Sequence, residues 1–339
     1  MTQPSISICI PTWNRVNFLR ETLRTIELQT FQDFEVIICD DFSDDGTYEY
    51  LTSLNWPQLR VLRNNKHSNF FGSLEHLFRE AGGEFIAMQH DHDLYDRGYL
   101  TKMVSLMRSF PSAGLGCCGY RLLFANGDIL EPESAEYHVF PPSGLLSGKE
   151  FIKILATRID TPIPAMATVF RKEIVQQIGG YHGHWRLASD EDLYRRVSAV
   201  SDVVFCPERL VTVRVRPEDR KAVLGGMTFV LNIFAFRKDT TIHWVDENRL
   251  WKTKNAIRLE ILKWHSVLKE VLIIWMRGEK EPIEYFLCDQ ELFSDTGGHP
   301  IGSSSGIKIV RLIFIMAKLT LFLGKSIGSM LPHHRKKAA

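Results

Sequence analysis

Phe85-Ile-Ala-Met-Gln-His-Asp-His-Asp93 is an apolar run that ends in two carboxylates one residue apart. In an extended chain alternate residues point to the same side, so Asp91 and Asp93 can present their oxygens together. Paired oxygens suit hard divalent cations such as Mg²⁺ or Mn²⁺, which often share their coordination with phosphates. A solvated acidic loop after a strand would read the same way, and a lone Asp-x-Asp does not choose between the two.

The sequence before this stretch alternates strand-like and helix-like runs. Ser5–Ile10, Phe34–Cys39, Arg60–Arg63 and Glu84–Gln89 read as strands. Phe18–Leu28, Tyr48–Leu54, Leu74–Ala81 and Tyr99–Phe110 read as helices, with Gly82-Gly83 and Pro111 as stops. This order predicts an α/β, Rossmann-like fold, a mostly parallel sheet flanked by helices. Ligands of such sheets bind beyond the carboxyl ends of the strands. Pro11–Arg15, Asp40–Asp45 and His90–Asp93 all follow strands and should therefore converge on one crevice.

Composition sets the class. The chain has 339 residues, 45% of them hydrophobic, and a formal net charge of +1. That is an ordinary globular profile with no general attraction to nucleic acid. Ser5–Ile10 is too short and has no basic start, so no secretory signal is expected. The six cysteines form no C-x-x-C pair and sit mostly in apolar runs, as buried hydrophobes of a reducing compartment do.

The middle of the chain is more mixed. Tyr120–Ile129 reads as a hairpin turning at Asn126-Gly127, Glu131–Ser147 as a loop and Phe151–Ala156 as a helix. Ala165–Phe170, Val203–Cys206 and Leu210–Val215 read as strands. Ser189–Val200 reads as a helix with Ser189 as N-cap and acids in its first turn. Residues 1–220 are expected to form the main domain and 221–293 a helical C-terminal extension. Residues 294–306, rich in Gly and Ser, read as a linker. Residues 307–339 read as an amphipathic helix and tail, with Lys308, Arg311, Lys318 and Lys325 on one face. Such a helix fits peripheral contact with an anionic membrane surface, or packing on protein with a solvated basic edge.

Ser7-Ile-Cys-Ile-Pro-Thr-Trp-Asn-Arg15, followed by Leu28-Gln-Thr-Phe-Gln-Asp-Phe-Glu-Val-Ile-Ile-Cys-Asp-Asp-Phe-Ser-Asp-Asp-Gly-Thr47, resembles the opening of family 2 glycosyltransferases. Asp91–Asp93 and Ser189-Asp-Glu-Asp-Leu-Tyr-Arg-Arg196 are similar to that family's metal-binding motif and its acidic helix. The four matches occur in the family's order over about the first two thirds of the chain. The resemblance implies a GT-A fold, a nucleotide-sugar donor, a divalent cation and inverting transfer. Cell-surface polysaccharide synthesis, with a saccharide or lipid-linked saccharide acceptor at the inner face of the plasma membrane, is the setting it implies.

The resemblance also assigns roles. Pro11, Thr12, Asn14, Arg15, Asp40, Asp41 and Asp91 would bind the donor nucleotide, with Asp41 the better choice for the base. Asp93 would be the direct metal ligand and Asp91 its partner; His90 and His92 stay outside the set. Asp190 would be the general base and Asp192 the second choice, since successive helical residues point about 100° apart. His184 and Trp185 could line the acceptor site or pack as core, and Arg214 could approach the diphosphate. Two rivals remain in view. A sugar nucleotidyltransferase would want a Gly-rich basic loop where this chain has Pro11-Thr-Trp-Asn-Arg15. A degenerate scaffold or glycan-binding module would not need its acids at all.

Overall fold

A computed structural model of the protein describes residues 3–132, 140–141, 144–158, 163–215 and 233–276, the side chains at 186–187 and 263–276 excepted. Residues 221–232 and 277–293 of the expected helical extension, the linker 294–306 and the basic segment 307–339 lie outside the described residues. The chain divides into two compact units, Met1–Val267 and Leu268–Ala339. Residues 233–267, read from sequence as extension, belong to the first unit.

One ten-stranded sheet organises that unit. Its strands are β1 (Ile6–Thr12), β2 (Phe34–Asp40), β3 (Leu59–Arg63), β4 (Phe85–Met88), β5 (Leu94–Tyr95), β6 (Ala113–Phe124), β7 (Ile129–Leu130), β8 (Leu145–Leu146), β9 (Thr168–Arg171) and β10 (Asp202–Val215). The main path runs β3-β2-β1-β4-β9-β6-β10-β5. The helices are α1 (Val16–Glu27), α2 (Thr47–Ser53), α3 (Asn69–Glu80), α4 (Tyr99–Ser109), α5 (Gly148–Thr157), α6 (Lys172–Gln177), α7 (Ser189–Ser198), α8 (233–239) and α9 (Arg249–Met276). Among the described residues no helix is long and apolar enough to cross a membrane.

The first four large strands pair in parallel, β1 lying between β2 and β4, and β2 beside β3. The three inner strands are buried on both faces, every residue of β1 and β4 and all but one of β2, while β3 at the edge is partly exposed. That is the signature of a sheet covered by helices on either side. α1, α3 and α4 each bury one apolar stripe, Leu19, Leu23 and Ile26 in the case of α1.

The sheet is mixed rather than parallel throughout. β9 enters antiparallel between β4 and β6, and β6 then pairs with β10 in parallel. β6 starts at Ala113, seven residues before the expected hairpin arm. Its early part, Ala-Gly-Leu-Gly-Cys-Cys-Gly, hides a strand because the glycines are there for packing: a Cβ on Gly116 would lie 2.6 Å from Met107 Sδ, and one on Gly114 2.2 Å from Ser201 Oγ. The hairpin turn at Asn126-Gly127 is as expected, with Gly127 at φ 88°.

The two strands expected at 203–206 and 210–215 are a single strand, β10. Its register shifts on either side of Arg209. Pro207 cannot donate to the ladder, so the pairing bends there without ending. At α7 the expected N-cap is displaced: Ala188 holds the cap position and Ser189 is the first helical residue. The cause is the 3-10 turn Gly183–Ala188, which runs directly into the helix.

Candidate active site

The three loops after β1, β2 and β4 do meet. Asp41 N–H donates to Thr12 O (2.9 Å), Gln89 N–H to Cys9 O (3.0 Å) and Thr12 Oγ1 to Asp91 Oδ2 (2.8 Å). They line a cleft of about 470 Å³ that takes in Pro11, Thr12, Arg15, Asp41, Asp91 and Asp93. The volume is within the range of small-molecule sites. β1 continues through Pro11-Thr12, so the turn falls later than expected. Asn14 makes it, with φ 52°, its Nδ2 donating to Asp44 Oδ1 and its backbone N–H to Ser43 Oγ.

The adjacent acids Asp40 and Asp41 have separate tasks. Asp40 is fully buried, accepts from Ser43 N–H (3.3 Å) and pairs with Arg63 Nε (3.3 Å). It braces the turn behind the cleft and does not line it. Asp41 lines the cleft, but its carboxylate is heavily engaged by the loop that leads into α3. Oδ1 accepts from Asn64 Nδ2 (2.7 Å) and from the Ser68 N–H and Oγ (2.8 Å each). Oδ2 accepts from Asn69 N–H (2.9 Å) and faces His67 Nδ1 (2.8 Å). Burial works against its charge, yet these hydrogen bonds and His67 hold the carboxyl below its ordinary range. Asn69 takes the left-handed conformation (φ 72°) at this junction, and α3 starts five residues earlier than its apolar pattern indicates.

The loop 90–93 is fixed from several directions. Gln89, fully buried, donates through Nε2 to Asp93 O (3.0 Å). β5 pairs with β10, and the backbone N–H of Arg214 donates to Asp93 Oδ1 (2.7 Å). Asp93 is fully buried and its Oδ2 has no hydrogen-bond partner, the His90 Nδ1 standing 3.4 Å away. Asp91 is committed on both oxygens, to Thr12 through Oδ2 and to His92 Nδ1 through Oδ1 (2.9 Å). One donor atom from each of His90, His92 and Asp93 lies within 4.8 Å of the others. Among the described residues this trio is an arrangement that could hold a metal ion. Burial disfavours a charge on His90, but Asp93, Asp190 and Asp91 outweigh it and raise the imidazole above its ordinary value. The pocket thus favours positive charge. Arg214 lines the cleft, while its guanidinium is paired with Glu21 and lies over the Phe18 ring.

The acids of α7 are sorted by their partners. Glu191 is in a buried ion pair with Arg237 from α8. Asp192 is spanned by Arg195 (2.6 Å) and Arg196 (2.7 Å), and Arg195 also holds Asp239 and Thr240. Asp192 is therefore part of a clasp between α7 and α8. Asp190 is the remaining acid: its Oδ1 accepts from Tyr181 Oη at 3.3 Å. Burial raises its pKa, and the charge of His90 and the Tyr181 hydrogen bond offset part of that rise.

Of the acceptor candidates, His184 is exposed. Trp185 packs edge-on against Phe236 (5.6 Å) and below Arg195 (5.7 Å), so its ring belongs to the α7–α8 packing. Sequence reading missed Trp13, His67 and Phe70, all at the cleft. Trp13 is 49% exposed and its ring lies 4.4 Å from that of His67; Phe70 is edge-on to His90 at 5.6 Å. A Trp directly after the strand end is the signal the sequence carries.

Comparison with known proteins agrees with this architecture. A 28% identical relative over 153 residues, 44% of this chain and 46% of its own, is the GalNAc(5)-diNAcBac-PP-undecaprenol beta-1,3-glucosyltransferase of Campylobacter jejuni. An uncharacterized glycosyltransferase of Rickettsia typhi is 23% identical over 213 residues, 62% of this chain and 64% of its own. The chain thus spans less than two thirds of the length of these relatives. Among solved structures, S. aureus TarS 1-349 superposes with a TM-score of 0.61 at 13% identity, covering 86% of this chain and 81% of that one. The mannosyltransferase PcManGT of Pyrobaculum calidifontis, in complex with GDP-Man and Mn²⁺, gives 0.56 at 16% identity, covering 84% and 79%. These likenesses show a GT-A glycosyltransferase fold. The model of glycosyl transferase family 2 matches residues 7–179, just over half of the sequence, and the chain belongs to that family.

Proposed function

We propose that the protein is an inverting glycosyltransferase that moves a sugar from a nucleotide-sugar, a UDP-sugar by the sequence reading, to a saccharide or lipid-linked saccharide. The observation that carries this is the meeting of Thr12, Asp41, Asp91 and Asp93 at one cleft, with Asp190 electrostatically coupled to it through His90. Asp41, Thr12 and Arg15 bound the part of the cleft that receives the nucleotide, and the Trp13–His67 pair offers a ring face to a flat base. A divalent cation, Mg²⁺ or Mn²⁺, held at the 90–93 loop would neutralise charge on the departing diphosphate. The buried Oδ2 of Asp93, which makes no hydrogen bond, fits such an ion.

Asp190 takes the proton from the acceptor hydroxyl as that oxygen attacks the anomeric carbon. A base of raised pKa is suited to this, being closer to the hydroxyl in basicity than an ordinary carboxylate. Tyr181 fixes its orientation. Polysaccharide synthesis on the cytoplasmic side of the plasma membrane, with peripheral contact through residues 307–339, is part of the same reading and is motivated by the basic, apolar sequence there.

Calorimetric titration with UDP, GDP and dTDP, each with and without Mn²⁺, tests the donor site. Metal-dependent binding of one nucleotide, lost in Asp93→Ala, is expected. A folded wild type that binds none of them would end this reading in favour of a scaffold.

A further inference from the structure

We infer that the cation site of this protein is a two-histidine, one-carboxylate set, His90, His92 and Asp93, with Asp91 outside it as the group that orients His92. The inference rests on the glycosyltransferase reading only for its role in donor binding; the ligand set follows from the side chains themselves.

Three observations point the same way. Donor atoms of His90, His92 and Asp93 cluster within 4.8 Å. Asp93 is fully buried, and its Oδ2, 3.4 Å from His90 Nδ1, makes no hydrogen bond. A buried carboxylate oxygen ordinarily has a partner, and a bound ion would supply one here. Third, Asp91 is already used. Its Oδ1 is 2.9 Å from His92 Nδ1, and its Oδ2 accepts from Thr12 Oγ1 at 2.8 Å. A carboxylate that accepts a hydrogen bond from the Nδ1–H of a neutral histidine fixes the tautomer whose Nε2 is unprotonated and free to ligate, and His92 Nε2 is the atom that faces Asp93 Oδ1, at 3.8 Å. Thr12 then acts one step further out, by holding Asp91 in place.

This donor set has a chemical consequence. Mg²⁺ prefers oxygen ligands and near-ideal octahedral geometry, whereas imidazole nitrogens favour first-row transition ions. The site should select such ions over Mg²⁺, with affinity rising from Mn²⁺ to Co²⁺. In the two-carboxylate alternative the ligands are oxygens and Mg²⁺ competes well.

The test uses the full chain and the metal alone. Mg²⁺, Mn²⁺ and Co²⁺ are titrated calorimetrically into the wild type and into His90→Gln, His92→Gln, Asp91→Asn and Asp93→Asn. The Mn²⁺ complex is examined by electron spin-echo spectroscopy for ¹⁴N coupling. We expect Mg²⁺ to bind at least about tenfold more weakly than Mn²⁺. Nitrogen coupling should be present and reduced in each histidine variant. Asp93→Asn should abolish binding, and Asp91→Asn should weaken it about 10- to 100-fold while keeping the nitrogen signal. Should a variant fail to fold, the wild-type spectrum still decides. A spectrum with no nitrogen coupling, equal losses in Asp91→Asn and Asp93→Asn, or no Mn²⁺ binding at millimolar concentration would each overturn the assignment. A protein that binds Mn²⁺ through nitrogen yet takes no nucleotide would keep the ligand set and remove the donor reading.

Discussion

Glu191 and Arg237 form an ion pair across α7 and α8, and both side chains are withdrawn from solvent, at 2% and 0% exposure. Together with Arg195, Asp192 and Asp239 it fixes the helix whose first turn carries Asp190. Removing one partner leaves a charge buried without its counter-ion, which typically costs about 3–5 kcal/mol. Arg237→Met should lower unfolding stability by that order. Pairing it with Glu191→Leu should recover much of the loss, because an apolar pair of similar volume avoids the desolvation. Urea unfolding of the two single variants and the double variant measures this, and additive losses would contradict it.

Asp190→Asn should reduce kcat by roughly 10²–10⁴-fold with donor affinity nearly unchanged, as expected for loss of a general base. The wild-type rate should also fall on acidification at a higher pH than an ordinary carboxylate would dictate. The sign follows from the raised pKa: the base is protonated, and inactive, over a wider acidic range. Tyr181→Phe removes a hydrogen bond that lowers this pKa and should move the acid limb of the pH–rate profile further toward neutrality. A limb that stays in place in Tyr181→Phe would assign the titration to another group.

Asp41 titrates in the opposite direction. Its folded-state pKa is depressed, so its contribution to stability is present above the unfolded value of about 4 and is lost as pH falls through the lower folded value. Asp41→Asn should therefore be less stable than wild type at neutral pH, by about 1–3 kcal/mol for the hydrogen bonds disrupted. Its stability should also change less with pH below about 4. Denaturant midpoints at neutral and acidic pH compare the two, and parallel curves would refute the assignment.

Two glycines at close approaches differ in what they face. A Cβ on Gly148 would meet backbone, Ser198 O at 1.9 Å and Ser201 O at 2.2 Å. On Gly116 it would meet the flexible end of Met107, at 2.6 Å. Gly148→Ala should cost about 3 kcal/mol or more, and Gly116→Ala less, since a thioether can move and a carbonyl in a helix cannot. Thermal melts of the two variants should rank in that order.

The parallel half of the sheet was readable because its signals are local. Compact apolar runs mark β1, β2 and β4, and the acids that follow β2 and β4 mark the crevice. The remainder depends on distant partners. Nothing near Ala113–Gly119 announces a strand, since its glycines answer to Met107 and Ser201. Asp40 and Asp41 look equivalent in sequence and are separated only by Arg63 on one side and the 64–69 loop on the other. Likewise Asp190, Glu191 and Asp192 are told apart by Arg237, Arg195 and Arg196, two of which lie on α7 itself. Trp185 could not be placed without Phe236, more than fifty residues on.

The hydrogen bond from Arg214 N–H to Asp93 joins residues 121 positions apart. Asp93 is therefore not fixed until the end of β10 has docked beside β6 and β5. Folds rich in contacts of such separation form slowly. The cleft is completed by the strand that comes last in chain order among the described residues, and a chain cut off before residue 214 would carry every loop acid of the cleft without its finished geometry. Ligand affinity then becomes a report on whether folding has reached its end.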